Sequence, residues 1–519
     1  MATNASIDEV AEILAGWNRP RVVAKLPLKP GGVDPLGLRQ VNFDLMDRCI
    51  PGLNNTATRL RPYTLVAWAW WKAASLAKEE GSELVEVDRL KAFVDRVEVV
   101  FAVGHLMHQD FAGLLGSDTL NGEVVSRDSY DFSSKRWQEF RKKRALVTSL
   151  MAPVSYGPSA KEGLGLGFLS PRGDGAFTPT AEVMPAVFAF NDLLADILED
   201  PCLASLGCGK VDLARMVEFH GYWAMDKLTD EERQVGTARL TRGARAETLS
   251  LIRSILDDED GPLRVDEIRW RMALEDTALV PSDQQPGATA LWRAMQAQQL
   301  HRLSLEALLV WLLDTTTTRP HQLRELAGQL IAEAGLEGVA TFGGWLDAAA
   351  RNEDGVADPV IAVEDLETVR QRDRPDLALD GLRIALAICG DVDGDARLYG
   401  GAPDRLPLER ALARAKSISG LPLQDGLEIL LSEWVIGQHI YWAVGRSGDE
   451  TQRLRLMLDE GGWLAFASYA NANPTPDRLS TLLRLAADSG LIDEGAVNDQ
   501  LVYLVPGKLK ARKVSIPLR

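Results

Sequence analysis

Pro62 opens a stretch that tolerates only one kind of surroundings. Leu65-Val66-Ala67-Trp68-Ala69-Trp70-Trp71 is apolar without interruption, and a proline in the first turn is pre-organised for a helix start. A helix that is apolar on every side must be buried. Seven residues fall far short of the about 20 needed to span a bilayer. Ala307–Leu313, equally long, is equally short of a span. Both runs are therefore expected to be buried helix segments of a protein without membrane spans. Trp68, Trp70 and Trp71 point to different sides of one helix, so at least two of them should be buried.

Helical spacing dominates the rest of the chain. Ser6 and Glu9 form a capping box ahead of Ile7, Val10, Ile13 and Leu14. Residues 19–40, rich in Pro and Gly, read as a loop or linker. Leu90, Val94, Val97 and Phe101 form the stripe of a helix over 87–108. Further helices are expected at 243–256, 288–314, 320–335 and 424–445.

The pattern breaks at 150–182. Gly163–Leu169 leads through Pro171-Arg172-Gly173-Asp174-Gly175 to Ala176-Phe177-Thr178, two short strands around a Gly-rich turn. Thr180 then caps a helix carrying Val183, Val187, Phe188, Phe190 and Leu194. Helix, helix, hairpin, helix is the order of a winged helix-turn-helix. A second such segment closes the chain. Thr475-Pro476 reads as a helix cap and first turn, Leu479, Leu482, Leu483 and Ala486 as the stripe, and Gly490 as the stop. Leu491-Ile492 and Leu501–Val505 then read as paired strands.

Residues 166–183, LGFLSPRGDGAFTPTAEV, resemble the wing and following helix of bacterial winged-helix proteins, and residues 475–493, TPDRLSTLLRLAADSGLID, resemble the helix entering such a wing. Residues 38–71, from Leu38 to Trp71, are similar to the opening of an uncharacterised bacterial family associated with phage-defence gene neighbourhoods. That resemblance implies a role in such a system, and it carries over no catalytic residue to this sequence.

Charge limits the partners. Acidic residues number 74 against 57 basic ones, a net charge of −17. Such a chain is repelled by nucleic acid and anionic membranes unless its cations are gathered locally. One gathering exists. Lys135–Arg144 holds six basic residues in ten. On a helix, Trp137, Phe140, Val147 and Met151 share one face, while Lys135, Arg136, Lys142 and Lys143 lie largely on the other. These four are the candidate nucleic-acid contacts, a phosphate-binding face just before a wing. An ordinary solvated surface explains the same pattern.

Other motifs lead nowhere. His105 and His108 share a helical face at a spacing that can hold a metal, but no third ligand is visible at a recognisable spacing, so no metal site is expected. His220, His301, His321 and His439 are isolated. Gly163-Leu-Gly165-Leu-Gly167 lacks the dinucleotide-binding spacing, and Gly207-Cys208-Gly209-Lys210 lacks the rest of a P-loop. Asp391–Asp395 imitates a calcium loop with its glycine misplaced and Ala402 where glutamate is needed. Cys202 and Cys208 have no companion pair or histidine, and four cysteines make no disulfide framework, so a cytoplasmic home is expected. Glu-x-Lys, His-x-Lys, Gly-x-Ser-x-Gly and His-Glu-x-x-His do not occur. That argues against the commonest nuclease, hydrolase and metalloprotease sites in their usual form.

The sequence thus predicts a mainly α, multidomain helical protein with one or two winged helix-turn-helix-like modules. Its expected units are a helical domain over 1–120, a winged-helix-like module over 121–200, helical domains over 201–350 and 351–470, and a second module with a basic tail over 471–519. The expected function is a non-enzymatic subunit of a nucleic-acid-handling assembly, with other protein subunits as partners and no cofactor. A pure protein-interaction scaffold and an enzyme with an unrecognised site are the alternatives.

Overall fold

The computed structural model describes residues 34–81, 86–111, 113–163, 165–274, 287–348, 374–390, 396–445, 453–469 and 474–507. It is 61% helix and 9% strand, a mainly α protein. The Ser6–Glu9 capping box, the Asp391–Asp395 loop and the basic tail lie outside the described residues.

The first helices are α1 (Arg39–Cys49), α2 (Arg61–Glu79), α3 (Val87–Met107), α4 (Lys135–Val147) and α5 (Met184–Leu193). The apolar run makes α2 the centre of this part, flanked by α3 and α5. Trp68 meets Phe190 edge-on at 5.6 Å, and its indole N–H donates to Asn191 Oδ1 at 3.2 Å. Trp70 is buried against Phe177, and Trp71 is half-buried beside Phe188. Two of the three tryptophans are thus buried, as their placement around the helix requires. At the start of α2 the buried Arg61 faces the buried Glu232 at 3.3 Å. Glu232 also closes a capping box with Thr229 at the start of α6 (Asp230–Leu240).

Between α4 and α5 the expected hairpin forms. β1 (Ser129–Asp131) precedes it, then β2 (Leu169–Pro171) pairs antiparallel with β3 (Phe177–Pro179). Gly175, at φ +82°, supplies the left-handed residue of the turn. Thr180 stands at the cap position expected of it, but its hydroxyl donates to Gly167 O at 2.7 Å instead of capping. β4 (Lys210–Asp212) returns to pair with β1.

The second half runs α7 (Ala244–Asp258), β5 (Leu263–Arg264), α8 (Val265–Leu274), α9 (Ala288–Thr315) and α10 (Pro375–Gly390). Next come the hairpin β6 (Leu456–Asp459) and β7 (Gly462–Ala465), then α11 (Leu479–Asp488), β8 (Asp493–Val497) and β9 (Gln500–Leu504). The 28 residues of α9 make a rod of about 42 Å. It is buried along nearly its whole length, with α1, α8 and α10 packed on it. It carries a fully buried ion pair, Arg302 to Glu306 at 2.7 Å.

β9 is the middle of a three-stranded sheet in the order β5–β9–β8. Leu263 lies opposite Tyr503, and Glu494 lies opposite the same residue from the other side. Residues before α9 are therefore joined to the end of the described chain. The last helix starts later than expected, at Leu479 rather than beside Thr475. Gln299 of α9 holds Thr475 at both its N–H and its carbonyl (3.0 and 3.1 Å), and Asp477 Oδ1 accepts from Leu479 N at 3.2 Å. That long-range clamp fixes Thr475 outside the helix. The first strand of the pair likewise begins at Asp493, not Leu491, while Gly490 ends the helix at φ +76° as expected. Among the described residues no helix is long and apolar enough to cross a membrane.

Candidate functional site

The basic run folds as the expected helix, α4. Ser134 caps it by accepting from Trp137 N at 3.2 Å. Trp137 and Phe140 turn inward onto Tyr130 and Phe132, Trp137 meeting Phe132 edge-on at 5.0 Å. Lys135, Arg136, Lys142 and Lys143 are exposed, as placed. At 100° per residue they occupy an arc of about 120°, and the buried positions occupy a separate arc of about 100°.

The buried arc is not the expected one. Val147 is 57% exposed and Met151 lies in the turn beyond the helix. Their places are taken by Arg141 and Arg144, both buried. The cause is a row of carboxylates on α3. Asp88, Asp95 and Glu98 are seven and three residues apart, which sets them along one face. Arg141 Nε donates to Asp95 Oδ2 at 2.8 Å and its Nη1 donates to Asp88 Oδ2 at 2.9 Å. Arg144, one turn on, acts by charge on Glu98 and Asp95. Arg141 therefore binds α4 to α3, and Arg144 lies buried within the field of the same acids while donating to Thr148 O at 3.4 Å. A third, Arg136, is held by Glu123, with Nη2 to Oε2 at 2.6 Å. Among the described residues Lys135, Lys142 and Lys143 form no ion pair.

Lys142 also edges a cleft of about 350 Å³ between α3, α4 and the hairpin, shared with Lys91, Glu98, Ser149 and Phe177. A Cβ built on Gly175 would lie 3.5 Å from Lys91 Nζ, so this ammonium sits at the hairpin turn. Glu98 is 1% exposed. Its Oε2 accepts from Leu150 N at 2.9 Å, and its Oε1 has no partner. Burial pushes the Glu98 carboxyl up to about 8, against the pull of Arg144, so it is largely protonated at neutral pH. Burial also raises Asp95, with Arg141 opposing. The cleft thus joins the Lys91 and Lys142 ammonium groups and the Arg141 guanidinium to Asp88, Asp95 and the raised Glu98 carboxyl. Nothing in the sequence marked Glu98 beyond its place three residues after Asp95.

A larger cleft, about 540 Å³, opens at the start of α11. Its guanidinium groups are matched internally: Arg269 to Asp477 and Asp266, Arg478 to Asp47, and Arg264 to Glu267. The helix α11 itself is covered. Asp488 Oδ2 accepts from Leu60 N at 2.8 Å and from Arg59 Nε at 3.1 Å, and Arg233 Nη1 donates to Asp488 O at 2.8 Å.

The paired histidines separate. His105 is buried, whereas His108 is exposed and stacks on His220 at 4.0 Å and 11°. The two cysteines do meet: a hydrogen bond from Cys202 lowers the Cys208 thiol to about 7, and Cys202 is raised well above its usual range. No family model, curated protein or solved structure matches the chain.

Proposed function

We propose that this protein is a non-catalytic subunit of a nucleic-acid-handling assembly and that it touches phosphates through Lys135, Lys142 and Lys143. The observation that carries this reading is the division of labour along α4. The arginines that structure requires are neutralised by Asp88, Asp95 and Glu123. The lysines on the opposite arc form no ion pair among the described residues, and Lys142 edges the cleft that reaches the β2–β3 hairpin. Lysine ammonium groups of this kind bind phosphate as point charges, positioning a protein on nucleic acid without reading bases. The similarity of residues 38–71 to a phage-defence-associated family supplies the setting.

The order α7, β5, α8, α11, β8, β9 with the sheet order β5–β9–β8 supports a winged-helix module interrupted by the segment carrying α9 and α10. In such a module the third helix enters the major groove. Here that helix is α11, most of whose residues are buried, and Arg59, Leu60 and Arg233 hold its last residue, Asp488. We read this module as an internal brace, leaving α4 and the first hairpin as the outward surface. That hairpin is two-stranded, with one further isolated bridge from Lys161 to Leu169.

The test is a fluorescence titration of labelled duplex and single-stranded DNA and RNA at several salt concentrations. Wild type is compared with a Lys142→Glu, Lys143→Glu double variant. The buried α11 and the net charge of −17 favour a second reading, a protein-only scaffold. Absence of binding at low salt selects it.

A further inference from the structure

We propose that His105, Asp110 and His220 form a binding site for one divalent transition-metal ion of the zinc class, with a coordination position left open. The three donors come from separate pieces of chain that the fold brings together. His105 lies in the last turn of α3. Beyond it Gln109 takes a left-handed conformation, φ +58°, which folds the chain back so that Asp110 N donates to His105 O at 2.9 Å. Asp110 is thereby returned to the end of its own helix. His220 arrives at the start of the short helix His220–Trp223. Gly104 admits it: a Cβ at residue 104 would lie 3.3 Å from His220 Cβ and 3.4 Å from Met216 O.

The donor atoms converge at ion-pair distance, beyond hydrogen-bond length. His105 Nε2 and His220 Nε2 each lie 3.9 Å from Asp110 Oδ2. That is too long for a hydrogen bond. The three ligand atoms all fall within 4.8 Å of one another. Tetrahedral zinc with bonds of about 2.0–2.1 Å sets its ligand atoms about 3.4 Å apart, so each histidine–aspartate edge closes by about 0.5 Å and the remaining edge, within 4.8 Å, by at most about 1.4 Å. Both Nε2 atoms are buried and have no hydrogen-bond partner. Buried polar atoms almost always have one, so two unpartnered nitrogens facing one carboxylate mark a place for a third party.

The tautomer also fits. His105 Nδ1 lies 2.8 Å from Phe101 O. A carbonyl can only accept there, so Nδ1 carries the proton and Nε2 presents its lone pair. A ligand histidine is commonly fixed in this way by a backbone carbonyl on its far nitrogen. Burial disfavours the charged form of both imidazoles, which leaves them neutral and free to bind. His108 stacks flat on His220 and steadies its ring rather than joining the triangle. Two imidazoles and one carboxylate suit zinc or ferrous iron more than calcium or magnesium, which take oxygen ligands. Three protein ligands with the half-exposed Asp110 on the outer side leave a fourth position for water or a substrate atom.

The full-length protein is stripped with chelator, then titrated with zinc chloride and, separately, cobalt chloride. Binding is read by calorimetry, by elemental analysis after desalting, by the visible absorption of bound cobalt and by melting temperature. The expected result is one ion per chain and a melting temperature that rises with zinc. Asp110→Asn and His220→Gln should each weaken binding, on the order of 10- to 100-fold or more. His108→Ala should keep the one-to-one stoichiometry. Both ligand variants involve partly exposed side chains, and their melting curves in chelator should match the stripped wild type, which separates ligand loss from misfolding. Wild type that takes up no zinc or cobalt at about 0.1 mM, and so binds with a Kd above about 0.1 mM, overturns the proposal. So does binding that Asp110→Asn and His220→Gln leave unchanged, because the ion would then sit elsewhere.

Discussion

Arg141 and Lys142 are neighbours in the sequence with the same formal charge, yet the structure gives them opposite roles, and alanine replacement should separate them. Arg141 is buried and donates at 2.8 Å to Asp95 and at 2.9 Å to Asp88. Asp88 is 74% exposed, and an exposed pair contributes at most about 1 kcal/mol. The bond to the more enclosed Asp95 contributes about 1.5–3 kcal/mol, as charged hydrogen bonds do. Loss of the packed arginine stem adds to this. Arg141→Ala should therefore destabilise the α3–α4 pair by about 2–4 kcal/mol, the sum of those terms. Lys142→Ala, at an exposed position without an ion pair, should stay within about 0.5 kcal/mol of wild type. Urea denaturation followed by tryptophan fluorescence, with Trp137 on the same helix as reporter, measures both. An Arg141→Ala midpoint equal to wild type, or a larger loss from Lys142→Ala, would refute the two-faced account of α4.

Trp68→Ala should cost about 3–5 kcal/mol, as for other large buried side chains. Trp71→Ala, half-buried, should cost clearly less, and equal losses in urea midpoint would contradict the placement of α2. Glu98 should make stability depend on pH. Its folded value of about 8 lies above the ordinary 4.5, so the folded state holds the extra proton between those values. The resulting stabilisation is fully present below pH 4.5 and is lost as pH rises toward 8. Glu98→Gln should flatten the urea midpoint over pH 5–8, and an unchanged pH profile would show that Glu98 titrates normally.

The parts of the fold legible in the sequence are those set by local patterns. Pro62 and the apolar run placed α2, the three- and four-residue stripe placed α3, and Gly175 placed the hairpin turn. What escaped depends on distant partners. The start of α11 is set by Gln299 holding Thr475 across the fold. The two residues of β5 become a strand only because β9 pairs with them. The burial of Arg141 and Arg144 was not legible because the acidic row beside them lies on another helix. The same holds for the candidate sites. The exposed lysines were visible as the polar arc of one helix. Glu98 carried no mark, since its proton affinity comes from burial. His220 lies more than a hundred residues from His105, so only the fold makes them neighbours.

The most direct test of the functional account is the salt dependence of nucleic-acid binding. Each phosphate neutralised contributes about −0.9 to the slope of log affinity against log salt. Lys142→Glu with Lys143→Glu should therefore flatten the wild-type slope by about two units. It should weaken all sequences alike, because these side chains position and do not read bases, and it should leave the melting temperature unchanged. Wild-type protein without measurable affinity at low salt, or a double variant with the wild-type slope, would contradict the account and leave the protein-only scaffold in its place.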